Sequence, residues 1–257
     1  MNNLKIIFSM LMITFAIINF GCKGDTGPAG PVGPTLSGTL TGLVVLTDTN
    51  GVQPTNRSGI SVSIDGTSLS TTTDSTGKWT FNSLSTGTYA ITISKNNYGM
   101  TKRINFQFVG GGTTYVGQDF LSAVPSFNIS NLSYTAGNQF IDVKGNVNFT
   151  SAQTIGRNIF VFVGNSNLVS SSPGTYLGVF NAFANDTATT FTQRLTTANL
   201  NDLGIPTGST AYINVYSSSA TLANSSRYAD VVTGKFIYTS LGSTPSGPFS
   251  IVAPMKP

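Results

Sequence analysis

The sequence predicts an all-β chain, with two consecutive β-sandwich domains after a signal peptide and a Gly/Pro-rich spacer. Three observations lead there. Short runs alternate apolar and polar residues with a period of two, which places every second side chain on one face of a strand. Gly and Asx turn signals separate these runs at the spacing of a sandwich. Strong helix formers are scarce: Glu is absent and every acid is Asp.

The first element is an export segment, 1–21. Met1 to Lys5 make a short basic start, and the 13 residues Ile6 to Ile18 form an apolar run. A comfortable bilayer span needs about 20, so the run fits the apolar region of a signal peptide, with small Gly21 at the processing site. The single cysteine, Cys22, follows at once. This placement resembles the bacterial lipoprotein signal, although Asn19 and Phe20 stand where such signals usually carry aliphatic or small residues. The resemblance implies that Cys22 is lipidated and becomes the first residue of the mature chain. Lys23 after it, rather than Asp, implies sorting to the outer membrane, on its periplasmic or cell-surface face. The membrane is then the first expected partner, held through several acyl chains because one alone binds only marginally. The alternatives are a plain signal peptide with an incidental thiol, or an uncleaved anchor.

The second element is the tether, 22–37. Gly21, Gly24, Gly27, Gly30 and Gly33 keep a three-residue period, with Pro28, Pro31 and Pro34 alongside. Collagen requires that period because only hydrogen fits at the axis of three chains. About five triplets offer few interchain bonds against the ordering of three chains, so the run reads as a stiff spacer, with a trimeric stalk as the alternative.

The third element is the first sandwich, 38–124. Ile60, Val62 and Ile64 share one face, as do Trp79 and Phe81, then Tyr89, Ile91 and Ile93, then Ile104, Phe106 and Phe108. Turns are expected at Asp48 to Gly51, Asp74 to Gly77 and Ser85 to Thr88. The stretch Thr73-Asp74-Ser75-Thr76-Gly77 before Trp79 and Phe81, followed by Gly87-Thr88-Tyr89, resembles the carboxypeptidase regulatory-like domain. Asn97-Tyr98-Gly99 stands where that family usually has Gly-Tyr. The resemblance implies a transthyretin-like sandwich of about seven strands, and a role as spacer, docking piece or binding platform.

The fourth element is the second sandwich, 126–257. Ile141, Val143, Val147 and Phe149 alternate with polar residues, and further strands are expected over 176–180, 211–216 and 235–238. The run Ile159 to Val163 is apolar on both faces, which predicts a central strand. One short helix is expected over T-T-A-N-L-N-D-L-G, stopped by Gly204. The arrangement weakly resembles fibronectin type III and other immunoglobulin-like sandwiches, without their Cys pair or buried-Trp pattern.

Residue types narrow the chemistry. His is absent, which removes the commonest general base and metal ligand. Ser–His and Cys–His nucleophile machinery is excluded, and zinc held by His and Cys with it. Lys and Arg are scattered singly apart from Lys102-Arg103, so no phosphate-tracking stripe exists and nucleic acid is not an expected partner.

Four sets of residues remain as candidates. Asp48, Asn50 and Asp74, with Asp65, are possible calcium ligands, although turn chemistry alone explains each Asp. Tyr212, Tyr216 and Tyr228, with Tyr115 and Tyr238, are candidates for a glycan- or protein-binding face, against the reading as half-buried strand tyrosines. Trp79 is a possible sugar platform but is expected in the core. Nothing places two carboxylates together for glycoside hydrolysis.

The sequence therefore predicts a non-enzymatic, cofactor-free binding, adhesion or scaffolding protein of the cell envelope, with a protein or glycan partner. The alternatives are an accessory subunit of an envelope hydrolase or nutrient-uptake complex, and a trimeric stalked surface protein.

Overall fold

The computed structural model describes residues 35–148, 157–184, 189–242 and 246–254. The signal segment, Cys22, the tether up to residue 34 and Phe149 lie outside the described residues, and Ser37, the last residue assigned to the tether, opens the first strand. Thr35–Pro257 forms one compact unit.

The first sandwich has seven strands: β1 (Ser37–Thr47), β2 (Ser61–Ile64), β3 (Ser70–Thr72), β4 (Lys78–Ser85), β5 (Gly87–Ser94), β6 (Met100–Phe108) and β7 (Thr113–Ser122). A three-stranded sheet ordered β4-β1-β7 faces a four-stranded sheet ordered β3-β2-β5-β6. All pairs are antiparallel except β1 and β7. The alternation read from the sequence delivers Ile60, Val62, Ile64, Trp79, Phe81, Ile91 and Ile93 to one core. Trp79 is 1% exposed and meets Phe81 edge-on at 5.8 Å. Opposite it in register stands Gly42, where a Cβ would lie 2.6 Å from the indole. The absent side chain makes room for the ring.

Ile104 departs from the expectation. Tyr89 pairs with Phe106 but Ile91 pairs with Arg103, so Ile104 and Asn105 together oppose Ala90. This bulge, with Asn105 at φ 56°, takes Ile104 off the face that carries Phe106 and Phe108. Ile104 stays half-buried outside the core.

The second sandwich contains β8 (Asn128–Ala136), β9 (Phe140–Asn148), β10 (Arg157–Gly164), β11 (Gly178–Ala184), β12 (Thr190–Thr196), β13 (Thr210–Ser218) and β16 (Ser246–Val252), with β14 (Arg227–Ala229) and β15 (Phe236–Tyr238) as a separate hairpin. Sheet β12-β9-β8 packs on sheet β11-β10-β13-β16. The expected helix is α1 (Thr197–Asp202), opened by a capping box between Thr196 and Asn199, with Gly204 at φ 75° just beyond it.

Strand β10 is buried along its whole length. Ile159, Val161 and Val163 enter the core between the sheets. Phe160 and Phe162 enter a second cluster on the outer face, roofed by Val169, Tyr176, Tyr216 and the partly buried Tyr212 and Tyr238. Phe162 meets Tyr176, Tyr216 and Tyr238 edge-to-face at 5.2, 5.3 and 5.6 Å, the favoured geometry for ring quadrupoles.

The β14–β15 region also joins the sandwiches through hydroxyls. Ser122 Oγ lies 2.5 Å from Ser240 Oγ, and the Ser122 backbone N–H donates to Ser226 Oγ at 2.7 Å. Thr239 Oγ1 accepts from the Met100 N–H at 2.7 Å and donates to its carbonyl at 2.6 Å. Thr101 Oγ1 donates to the Arg227 carbonyl at 2.7 Å. These groups are mostly buried, so each pairing removes an otherwise unsatisfied polar atom.

Candidate functional site

Two clefts open where the sandwiches meet. The smaller, of about 230 Å³, takes Thr47, Gly51 and Gln53 from the first sandwich, and Asn158, Phe183 and Asn224 from the second. Its walls are tied across the seam. Arg157, at the start of β10, donates to the Asn50 carbonyl at 3.0 Å and to Asn50 Oδ1 at 3.3 Å. Ser219 Oγ donates to the Ala123 carbonyl at 2.5 Å. Asp48 holds the intervening turn by accepting from the N–H groups of Asn50 and Val52, both at 2.9 Å.

Strand β11 explains how an aromatic reaches this cleft. Phe180, Ala182 and Ala184 face the core, which turns Val179, Asn181 and Phe183 to the other face. Val179 is covered by the aromatic cluster, whereas Phe183 is 58% exposed. Opposite it in register stands Asn158, 5% exposed. Asn158 Oδ1 accepts from Asn181 Nδ2 at 3.2 Å.

The larger cleft, of about 300 Å³, runs along β6, β7 and the β14–β15 hairpin, and is charged. Lys102 pairs with Asp65 at 2.9 Å and lies 5.9 Å above the Tyr228 ring. The Arg227 guanidinium stacks on Phe236 at 4.2 Å. Burial pushes the Asp119 carboxyl up from its ordinary value, against the opposing pull of Arg103 at 2.9 Å.

The structure distributes the sequence candidates as follows. Asp48, Asn50 and Asp74 are each engaged by turns or seam. Asp74 Oδ1 accepts from the Thr76 N–H, the Thr76 hydroxyl and the Lys78 N–H, at 2.9, 2.6 and 3.0 Å. Thr76 holds its carboxyl below the ordinary range. Among the described residues, no three His, Cys, Asp or Glu side chains gather as a metal site would require.

The three tyrosines do not form one exposed face. Tyr216 is 7% exposed inside the aromatic cluster, where its hydroxyl accepts from the Ser171 N–H at 3.4 Å. Tyr212 packs against the same cluster, while Tyr228 lies apart in the charged cleft. The roof over β10 accounts for the difference, because it also covers the face of β13 that carries Tyr212 and Tyr216. Sequence reasoning missed Phe183, Gln53 and Asn224. The available signal was Phe183 sharing a strand face with Asn181.

Comparison with known proteins supports the first sandwich directly. Residues 39–120 match the family model of the carboxypeptidase regulatory-like domain. No curated protein matches the sequence. Among solved structures, a candidate carbohydrate binding protein of Bacteroides uniformis is 13% identical over 84% of this chain and 99% of its own, with a TM-score of 0.31. A DUF3823 family protein of Bacteroides ovatus is 16% identical over 84% and 99%, with a TM-score of 0.31. Another from Parabacteroides merdae is 15% identical over 81% and 98%, with a TM-score of 0.28.

Proposed function

We propose that this chain is an exported, lipid-anchored binding protein of the cell envelope that performs no catalysis. Segment 1–21 is removed, Cys22 carries the lipid, and the tether to residue 37 holds the sandwiches of 38–124 and 126–257 off the outer membrane. The observation that carries the reading is the order of features at the amino terminus: a 13-residue apolar run, the chain's single cysteine, then a Gly/Pro spacer. An exported chain with one cysteine has no disulfide partner for it, and anchorage gives that thiol a role.

The seam clefts supply the binding half of the proposal. Concave sites with a few convergent polar groups are where ligands bind, and among the described residues one of the two is lined without any titratable side chain. A partner that is a protein or glycan of the envelope suits such a surface.

Intact mass of the protein extracted from membranes tests the anchor. The expected mass is that of a chain beginning at Cys22 with acyl groups attached, and C22S is expected in the soluble exported fraction. A mature chain with an unmodified Cys22 overturns the proposal.

A further inference from the structure

We infer that the smaller seam cleft, walled by Gln53, Asn158, Phe183 and Asn224, is a subsite for a neutral sugar ring; this rests on the reading of the chain as a binding protein. The chemistry of the lining carries the inference. Among the described residues, every polar side chain that lines the cleft is an amide or a hydroxyl, and none is charged. Sugar hydroxyls each donate and accept, and amide side chains answer both needs from one group. A charged lining would instead select an ionic ligand.

Three further observations fit this occupant. Phe183 exposes 58% of its surface beside those amides. The C–H face of a sugar ring packs on the negative face of an aromatic ring, while its hydroxyls remain free for polar partners. Asn158 is 95% buried by its 5% exposure, and its Oδ1 is taken by Asn181. Its Nδ2 makes no hydrogen bond among the described residues. The fully buried unpartnered side-chain atoms among the described residues do not include this Nδ2, so the donor is reachable from the cleft and free to meet a ligand hydroxyl. The side-chain amides of Gln53 and Asn224 are likewise without hydrogen bonds among the described residues, which leaves them available to the same ligand.

The cleft is also built rather than accidental. Arg157 on Asn50 and Ser219 on Ala123 fix walls from different sandwiches. Positions held in this way lose little freedom when a ligand arrives. At about 230 Å³ the cleft is smaller than the sites that enclose drug-sized ligands, which suits a single ring. That ring is either a free monosaccharide or one residue of a longer glycan.

The test is saturation-transfer NMR on the full chain, held in a detergent without a sugar headgroup. The probes are glucose, galactose, mannose and N-acetylglucosamine, neutral oligosaccharides of each, and glucuronate as a charged comparison. The expected result is transfer to ring C–H protons of at least one neutral sugar. F183A is expected to weaken it by about tenfold or more and F183Y to retain it. Because Phe183 is exposed, F183A should keep the wild-type thermal midpoint, and Q53A gives a second, independent loss of affinity. Transfer to monosaccharides identifies a free sugar, and transfer to oligosaccharides alone identifies a glycan chain. No transfer from any neutral sugar, equal transfer in F183A and Q53A, or a preference for glucuronate overturns the subsite. None of those results alters the mass of the acylated chain, so failure of the subsite and failure of the anchor are read separately.

Discussion

Replacing Gly99 by Ala probes whether the two sandwiches form one mechanical body. Gly99 precedes β6 at the seam, and its N–H donates to the Ser122 carbonyl at 2.9 Å. A Cβ there would lie 2.4 Å from Ser226 Cβ and 2.6 Å from Thr239 Oγ1. Carbon atoms are comfortable at about 3.5–4.0 Å, so the overlap is on the order of 1 Å. Neither neighbour can step aside freely. Thr239 Oγ1 holds both backbone groups of Met100, and Ser226 Oγ accepts from the Ser122 N–H. Overpacking costs about 1–3 kcal/mol, and each hydrogen bond displaced adds about 0.5–1.5 kcal/mol. The expected loss is roughly 2–5 kcal/mol. Its sign is opposite to the slight stabilisation, about 0.4–1 kcal/mol, that a tolerated Gly-to-Ala change brings through the unfolded chain. Gly174→Ala is the control, because nothing lies within 4 Å of its Cβ position. Urea denaturation followed by fluorescence of the single Trp measures the loss, and exchange of the Ser226 and Thr239 amides locates it. If G99A falls within about 0.5 kcal/mol of G174A, the seam is not packed as described and the reasoning fails.

Phe162→Ala removes the centre of the outer aromatic cluster and should cost about 3–5 kcal/mol in the same denaturation assay; a loss below about 1 kcal/mol would mean that this face of β10 is not a core. The acid limb of stability follows from Asp65, Asp74, Asp142 and Asp230, each held below the ordinary 3.8, first by the side chain of Thr92, Thr76, Arg194 and Thr233 respectively. A depressed carboxylate stabilises the fold above its unfolded pKa and loses that contribution as pH falls through the folded one, so the thermal midpoint should drop below about pH 4 and D142N should flatten the drop. Asp119 runs the other way: raised by burial, it favours the fold below 3.8 and loses that contribution as pH rises through its folded pKa, so carboxyl NMR should place its midpoint above 3.8.

What the sequence disclosed and what it hid divide along a physical line. Alternation and turn chemistry are local, so Ile60, Val62 and Ile64, the Asp74–Gly77 turn and the two-sided burial of β10 could be read directly. The Gly204 helix stop was legible for the same reason. The bulge at Asn105 was not, because a single extra residue changes strand parity without changing composition. The choice between a binding-face and a half-buried reading of Tyr216 was not legible, because its burial depends on Val169, Tyr176 and Tyr238, which come over this face from other parts of the chain. The seam was hidden for a related reason. Ser122, Ser226 and Ser240 look like surface residues, and only their mutual hydrogen bonds make them buried ones. Phe183 was the one site residue with a readable signal, an apolar ring on a strand face shared with Asn181.

The hydroxyl seam follows from the same composition that shapes the cleft. With 9% of residues charged, the chain has few ion pairs to place between its sandwiches, and apart from the Arg157 guanidinium on Asn50 the contacts described there run mainly through Ser, Thr and backbone groups. Neutral hydrogen bonds of this kind are not screened by salt as exposed charge pairs are. They also titrate nowhere between the Asp and Lys ranges. The hydroxyl part of the seam therefore holds across conditions that would loosen a charged interface. Asn50 shows how far the coupling reaches. A residue considered at first for calcium instead receives Arg157 from the second sandwich, and so places the turn carrying Gly51 and Gln53 opposite Phe183. The first sandwich is thus more than a spacer: one wall of the cleft is its own.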